Sequence, residues 1–398
     1  MPFDGTRVAA SLGGSCVARG RRSRRIPAHM PMAPVTSVWT SSPAYARHKA
    51  WKTRGDVVGS KQKIPTRLSV PSAAADAPVV PVDPCEFVRE AVERATGSDY
   101  FVISETVVKT LASTRGLDPI DLLPEFVREA QKLAIPPTSK FHVGAAALGS
   151  TGAVYLGVNV ELPGLPLNAS IHAEQFAVVT AMRHGETKLI AVATTAAPCG
   201  HCRQFMNELR DASKMRIIIP DDSRSNGMSI RSHLVMPLCD LLPHSFGPLD
   251  LTHDNSLPLL LEKRNNGLRV VMDQTEKILP DVETQIQLAL REANVSYAPY
   301  SESPAGLVLV TKSGDVFPGR AVESAAYNPT MSPLHVALCA AVAMGNLGNK
   351  NGGGWGEIEK CILVEIANAP VQYCDTVKLI LKTIAPHGEV TVVSASRE

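Results

Sequence analysis

Between Pro137 and Glu161 the chain reads PTSKFHVGAAALGSTGAVYLGVNVE, and between Pro299 and Glu323 it reads PYSESPAGLVLVTKSGDVFPGRAVE. Pro137, Ser139, Gly144, Gly152, Gly157 and Glu161 each return 162 positions later, as Pro299, Ser301, Gly306, Gly314, Gly319 and Glu323. Arg128-Glu-Ala130 upstream returns as Arg291-Glu-Ala293. Matches at one offset, three of them glycines at turn positions, mark an internal repeat. The unit is expected twice, over 85–250 and 276–398, with 251–275 as a polar linker. In the first copy a helical stretch, Pro124 to Leu133, leads to the apolar run Val143–Leu148, a turn at Ser150-Thr-Gly152 and a second run, Val154–Val160, as in a hairpin. A helix from His172 to His184, a buried-type strand Leu189–Thr195, a helix Cys199–Leu209 and a strand Met215–Ile219 follow. Hairpin strands followed by strand–helix alternation imply an α/β fold: three α/β/α layers around a mixed sheet, built twice.

The chain has 398 residues, with 40 Lys and Arg against 38 Asp and Glu. Its longest apolar run, Leu334 to Met344, is 11 residues and contains His335, short of the roughly 20 that a spanning helix needs, so no membrane partner is expected. Eight cysteines in such a length do not suggest a disulfide framework. Charge is unevenly placed. Residues 1–75 hold 13 bases and two acids, leaving 27 bases and 36 acids in the other 323 residues. An acidic body is unfavourable for tracking phosphates, so no nucleic-acid partner is expected. The first 80 residues, rich in Arg, Ser, Ala and Pro, lack a sustained apolar period and are read as disordered. Their composition suits a transit peptide to mitochondrion or plastid. The run Arg19-Gly-Arg-Arg-Ser-Arg-Arg25 also suits a nuclear signal, and a tail without an address is the third reading.

His172-Ala-Glu174 precedes Pro198-Cys199-Gly-His-Cys202, with 25 positions from Glu174 to Cys199. Two cysteines separated by two residues can bind one zinc from the first turn of a helix, and a structural site would close with four protein ligands. Only three good ones are present, His172, Cys199 and Cys202, which leaves a corner for water, as at catalytic zinc. His201 lies between the cysteines and is expected to point away. Helix N-termini at both ligand sets favour thiolates. Glu174, two residues from a ligand, is placed to exchange protons with that water as general acid and base without binding the metal. A structural zinc site and a redox pair are the rival readings of the cysteines. Histidine-x-glutamate followed by proline-cysteine-x-x-cysteine is the zinc deaminase arrangement, with attack on cytosine C4 or adenine C6.

Ser139–Ala145, Gly157–Glu161, Ser170–Gln175, Ala197–Gln204 and Leu242–Pro248 resemble the motifs of cytidine deaminase, in particular its long, two-unit homodimeric form. The resemblance covers about 85–398. It implies hydrolysis of cytidine and 2′-deoxycytidine to the uridines plus ammonia, in pyrimidine salvage, and a cytosolic location in tension with the basic N-terminal stretch. It implies that Asn159, Val160 and Glu161 hold the ribose, that Phe141 stacks near the pyrimidine, that the Ala173 N–H holds the base O2, and that Phe246 belongs to a lid. In the second copy the positions of His172 and Glu174 fall near Ser332 and Leu334, and Pro370-Val-Gln-Tyr-Cys374 keeps one cysteine. One thiol will not hold zinc, so a homodimer with one zinc per chain is expected. A deaminase of RNA or single-stranded DNA, and a zinc-bearing interaction module without activity, are the competing functions.

Overall fold

The computed structural model describes residues 88–93, 101–220, 233–271, 280–345, 347–348 and 354–397, all within one compact unit, Ala77–Glu398. The N-terminal stretch read as disordered lies outside the described residues. The first copy contains β1 (Val102–Ile103), α1 (Glu105–Arg115), α2 (Leu123–Gln131), β2 (Gly144–Gly149), β3 (Val154–Val158), α3 (Ala173–Arg183), β4 (Leu189–Thr194), α4 (Gly200–Met206), β5 (Arg216–Pro220), β6 (His233–Pro237), α5 (Leu238–Leu241) and α6 (Pro248–Thr252). Then come β7 (Leu268–Val270), α7 (Pro280–Asn294), β8 (Ala305–Thr311), β9 (Val316–Arg320), α8 (Pro333–Ala343), β10 (Ile358–Ile366), α9 (Cys374–Ile384) and β11 (Glu389–Arg397).

Two mixed sheets result, in the orders β1-β3-β2-β4-β5-β6 and β7-β11-β10-β8-β9. From β3 to β6 the first sheet matches the second read from β9 to β7. In each, one pair is parallel, β4 with β5 and β10 with β11. One difference breaks the repeat. β6 follows β5 in the chain, whereas its counterpart β7 precedes the rest of its sheet and pairs antiparallel to the end of β11 through Leu268, Arg269 and Val270.

The register explains why each sheet is covered on both faces. Gly144 lies opposite Val158 and Ala145 opposite Gly157. Cross-strand partners share a face and neighbours along a strand do not, so Gly144 and Gly157 face opposite ways. A Cβ on Gly144 would meet the backbone of α2 at Val127 and Gln131, and one on Gly157 the backbone of α3 at Ala173 and Ala177. The two helices therefore sandwich the hairpin. Gly306 and Gly319 repeat the device against α7 and α8. Covered on both faces, β2 is buried along its whole length, as sheets between helix layers are. The repeat extends to unusual backbone: Lys140 and Glu302 have φ of 58° and 52°, and Gly152 and Gly314 have φ of 89° and 88°.

The central helices α3 and α8 pack against one another and are buried almost all round, as helices at the middle of a core are. One apolar cluster runs from Val88 to Ala385 through both copies. The copies share a core, and their seam passes along α3, which His172 begins.

Candidate active site

The chain leaves the carboxyl end of β4, turns at Pro198 and enters α4 on the way to parallel β5. Ligand sites of α/β sheets open at such strand ends. His172 and Cys199 are the N-cap residues of α3 and α4, both with extended backbone. Their side chains converge with that of Cys202, one ligand atom of each lying within 4.8 Å of the others. The His172 Nδ1 is 3.5 Å from the Cys199 Sγ and 3.3 Å from the Cys202 Sγ, and the two sulfurs are 3.7 Å apart. A tetrahedron built with zinc–sulfur bonds of ~2.3 Å and zinc–nitrogen bonds of ~2.0 Å has edges of roughly 3.8 and 3.5 Å. The three side chains fit one face of it.

Their electrostatics suit a cation. Hydrogen bonds from Cys202 and His172 bring the Cys199 thiol down to about 3, while the neighbouring sulfur and burial push Cys202 up. The pair thus keeps one proton where a metal would displace it. The contact with Cys199 raises His172 against the effect of burial. Glu174 is buried, and burial pushes its carboxyl above the ordinary range.

A cavity of about 380 Å³ opens onto this group, lined among others by Phe141, Asn159, Glu161, His172, Ala173, Glu174 and Cys199. Burial alone would raise Glu161, but the Ser139 hydroxyl and the Ser139 and Thr138 N–H groups prevail and hold it below the ordinary range. Those N–H groups donate to its Oε2 at 2.9 and 2.8 Å. Asn159 accepts from the Val143 N–H at 2.8 Å and donates to the Phe141 carbonyl at 2.9 Å, shaping the loop that presents the exposed Phe141 ring. The structure places two residues otherwise. Val160 is fully buried, bridging Ile135 and Ile171. Phe246 is not among the residues lining the cavity; its ring is exposed and its carbonyl accepts from Gln204 and Asn207.

Three features escape the sequence. The His201 ring stacks on His172 at 4.7 Å between centroids, outside the ligand triangle. Gln175 is buried and reaches the second copy at Pro329. Glu208, just past α4, is fully buried and accepts from the Tyr297 hydroxyl at 2.9 Å, the Ala325 N–H at 2.7 Å and the Tyr300 hydroxyl. A histidine-x-x-glutamine at a helix start hints at the second, through the capping box it forms; nothing local signals the others.

Comparison with known proteins agrees with this geometry. Residues 120–218 match a family model of the cytidine and deoxycytidylate deaminase zinc-binding region, and residues 238–378 match a second model of that description. Cytidine deaminase 1 of Arabidopsis thaliana is 44% identical over 296 residues, covering 73% of this chain and 96% of that protein. Cytidine deaminase 6 of the same plant is 41% identical over 283 residues, 68% of this chain and 90% of that one. A cytidine deaminase of Yersinia pestis is 38% identical over 277 residues, 70% and 84% of the two chains. With repeat, ligand triangle and overall likeness in accord, the chain belongs to the cytidine deaminase family.

Proposed function

We propose that this chain hydrolyses cytidine and 2′-deoxycytidine to uridine and 2′-deoxyuridine, releasing ammonia. The observation that carries this reading is the zinc-sized triangle of His172, Cys199 and Cys202 beside a cavity whose wall includes Glu174. Zinc held by these three residues would supply a water acidic enough to lose a proton near neutral pH. Glu174 takes that proton and delivers it to N3 of the cytosine ring as oxygen adds to C4. It then carries the second proton to the exocyclic nitrogen; the C4–N bond breaks, ammonia leaves and the C4 carbonyl forms. A carboxyl raised by burial is suited to both transfers, since proton exchange is most effective when the group's pKa approaches the working pH.

The other residues position the nucleoside. Glu161, held as an anion by its backbone donors, accepts from a sugar hydroxyl and repels a 5′-phosphate, which favours nucleoside over nucleotide. Asn159 frames the sugar site, and buried Val160 fixes the segment carrying both. Phe141 stacks near the base, and the Ala173 N–H holds O2. The acidic body disfavours action on RNA or single-stranded DNA. The assembly is a homodimer with one zinc per chain, in keeping with a second copy that has Ser332 and Leu334 where the first has His172 and Glu174. Residues 1–80 direct the chain to an organelle, as their basic, acid-poor composition suggests.

The test is an ultraviolet assay of cytidine beside a single-stranded oligonucleotide, for the wild type and Glu174→Gln. Cytidine turnover that falls by about 10³-fold or more in the variant, with zinc content unchanged, is expected. Deamination of the oligonucleotide alone, or near-normal turnover by Glu174→Gln, would overturn the reading. Sedimentation, metal analysis and a fluorescent fusion of residues 1–80 address assembly, stoichiometry and location.

A further inference from the structure

The third residue of α3 reaches across the seam to the loop that leads into α8, and its counterpart in α8 does not reach back. In α3 it is Gln175, buried and with both ends of its amide engaged. Its Oε1 accepts from the His172 N–H at 3.3 Å, and its Nε2 donates to the Pro329 carbonyl at 2.8 Å. In α8 it is His335, whose Nδ1 accepts from the Ser332 N–H at 3.3 Å. Its Nε2 is buried without a hydrogen-bond partner among the described residues. Pro329 stands three residues before Ser332, the N-cap of α8. The tie runs one way, from the ligand-bearing copy to the other.

The consequences for the two copies differ, because only one of the N-cap residues is a metal ligand. The backbone of His172 is held by an amide whose other end is fixed in the copy that lacks the ligands. The second ligand-bearing helix is tied the same way. Glu208, two residues beyond α4, is held by Tyr297 and Ala325 of the second copy. Partners that orient a ligand without touching the metal commonly contribute about 10–100-fold to its affinity.

We propose that Gln175 is a positioning residue for His172, and that the second copy, acting through the Pro329 carbonyl, sets the geometry of a metal site it does not contain. The proposal rests on zinc binding by His172, Cys199 and Cys202. Metal analysis of the wild type tests that reading first and separately: a wild type without zinc would overturn it.

Gln175→Met keeps the volume of the side chain and removes the amide. Its zinc affinity is to be measured by competition with a chromophoric chelator, together with the visible spectrum of the cobalt-substituted protein. The expected result is zinc bound about 10–100-fold more weakly and a shifted cobalt spectrum. Wild-type affinity with an unchanged cobalt spectrum in Gln175→Met would overturn the proposal. Should Gln175→Met fail to fold, Gln175→Asn, which keeps the amide one methylene short of spanning both partners, carries the same expectation and the same refutation.

Discussion

Glu161 and Glu323, 162 positions apart, hold equivalent backbone donors. The Thr138 and Ser139 N–H groups donate to the first at 2.8 and 2.9 Å, and the Tyr300 and Ser301 N–H groups to the second at 2.9 and 3.2 Å. The carboxylate-binding loop has outlived the site it serves in the first copy. Ala321 now stands where Asn159 did, and Leu334 where Glu174 did.

Removing the charge should therefore separate the copies. Glu161→Gln is expected to raise KM for cytidine about 10-fold or more with a smaller change in kcat, because a charge-assisted hydrogen bond to the sugar is lost. Glu323→Gln should leave KM unchanged and lower stability by about 1–2 kcal/mol. Steady-state kinetics and urea titration of both variants check this.

Gly157→Ala would place a Cβ 2.1 Å from the Ala173 carbonyl oxygen and 2.5 Å from the Ala177 nitrogen. Neither backbone atom can rotate away, so sheet and helix must part. A loss of about 3 kcal/mol is expected, with weakened zinc binding because α3 carries His172 at its start. Gly319→Ala, facing the Pro333 carbonyl at 2.2 Å, should cost similar stability with less effect on the metal. Calorimetry and metal content distinguish the two.

His335 supplies a pH dependence. Burial pushes its imidazole down to about 4, the Ala169 carbonyl opposing. The unfolded chain takes up the proton near pH 6.5, the fold only near 4. Stability from the neutral ring is therefore present above 6.5 and lost as pH falls toward 4, by at most about 1.4 kcal/mol per pH unit. Thermal melts of His335→Gln across that window should show a shallower decline than the wild type, and parallel curves would refute it.

Tyr297→Phe removes one donor from the fully buried Glu208 while keeping the ring under Arg264, whose guanidinium carbon lies 4.5 Å from the ring centroid. A buried carboxylate that loses a partner typically costs about 1–3 kcal/mol. Urea titration should show that loss with the zinc ligands intact.

What was legible in the sequence was local or periodic. The strands, the turn at Gly152 and the central helix declare themselves by spacing and apolar runs. The ligand triangle does too, because Cys199 and Cys202 sit one turn apart. The ties between the copies are of another kind. Gln175 and Pro329 are 154 positions apart, and Glu208 and Tyr297 are 89 apart, so nothing nearby in the chain marks either pair. Nor could the exposed ring of Phe246 be placed, since its position depends on Gln204 of α4 and Asn207 just past it, whose side chains grip its carbonyl. Val160 reads as one of a run of site residues, yet strand alternation turns it into the core.

The origin of β7 has a practical consequence. Leu268–Val270 caps the terminal stretch Ala395–Arg397 of β11, although it comes from upstream of α7. A fragment begun at residue 276 would leave that margin with open donors and acceptors, a template for self-association between molecules. Attempts to prepare the downstream half by itself should begin before Leu268, or expect precipitate.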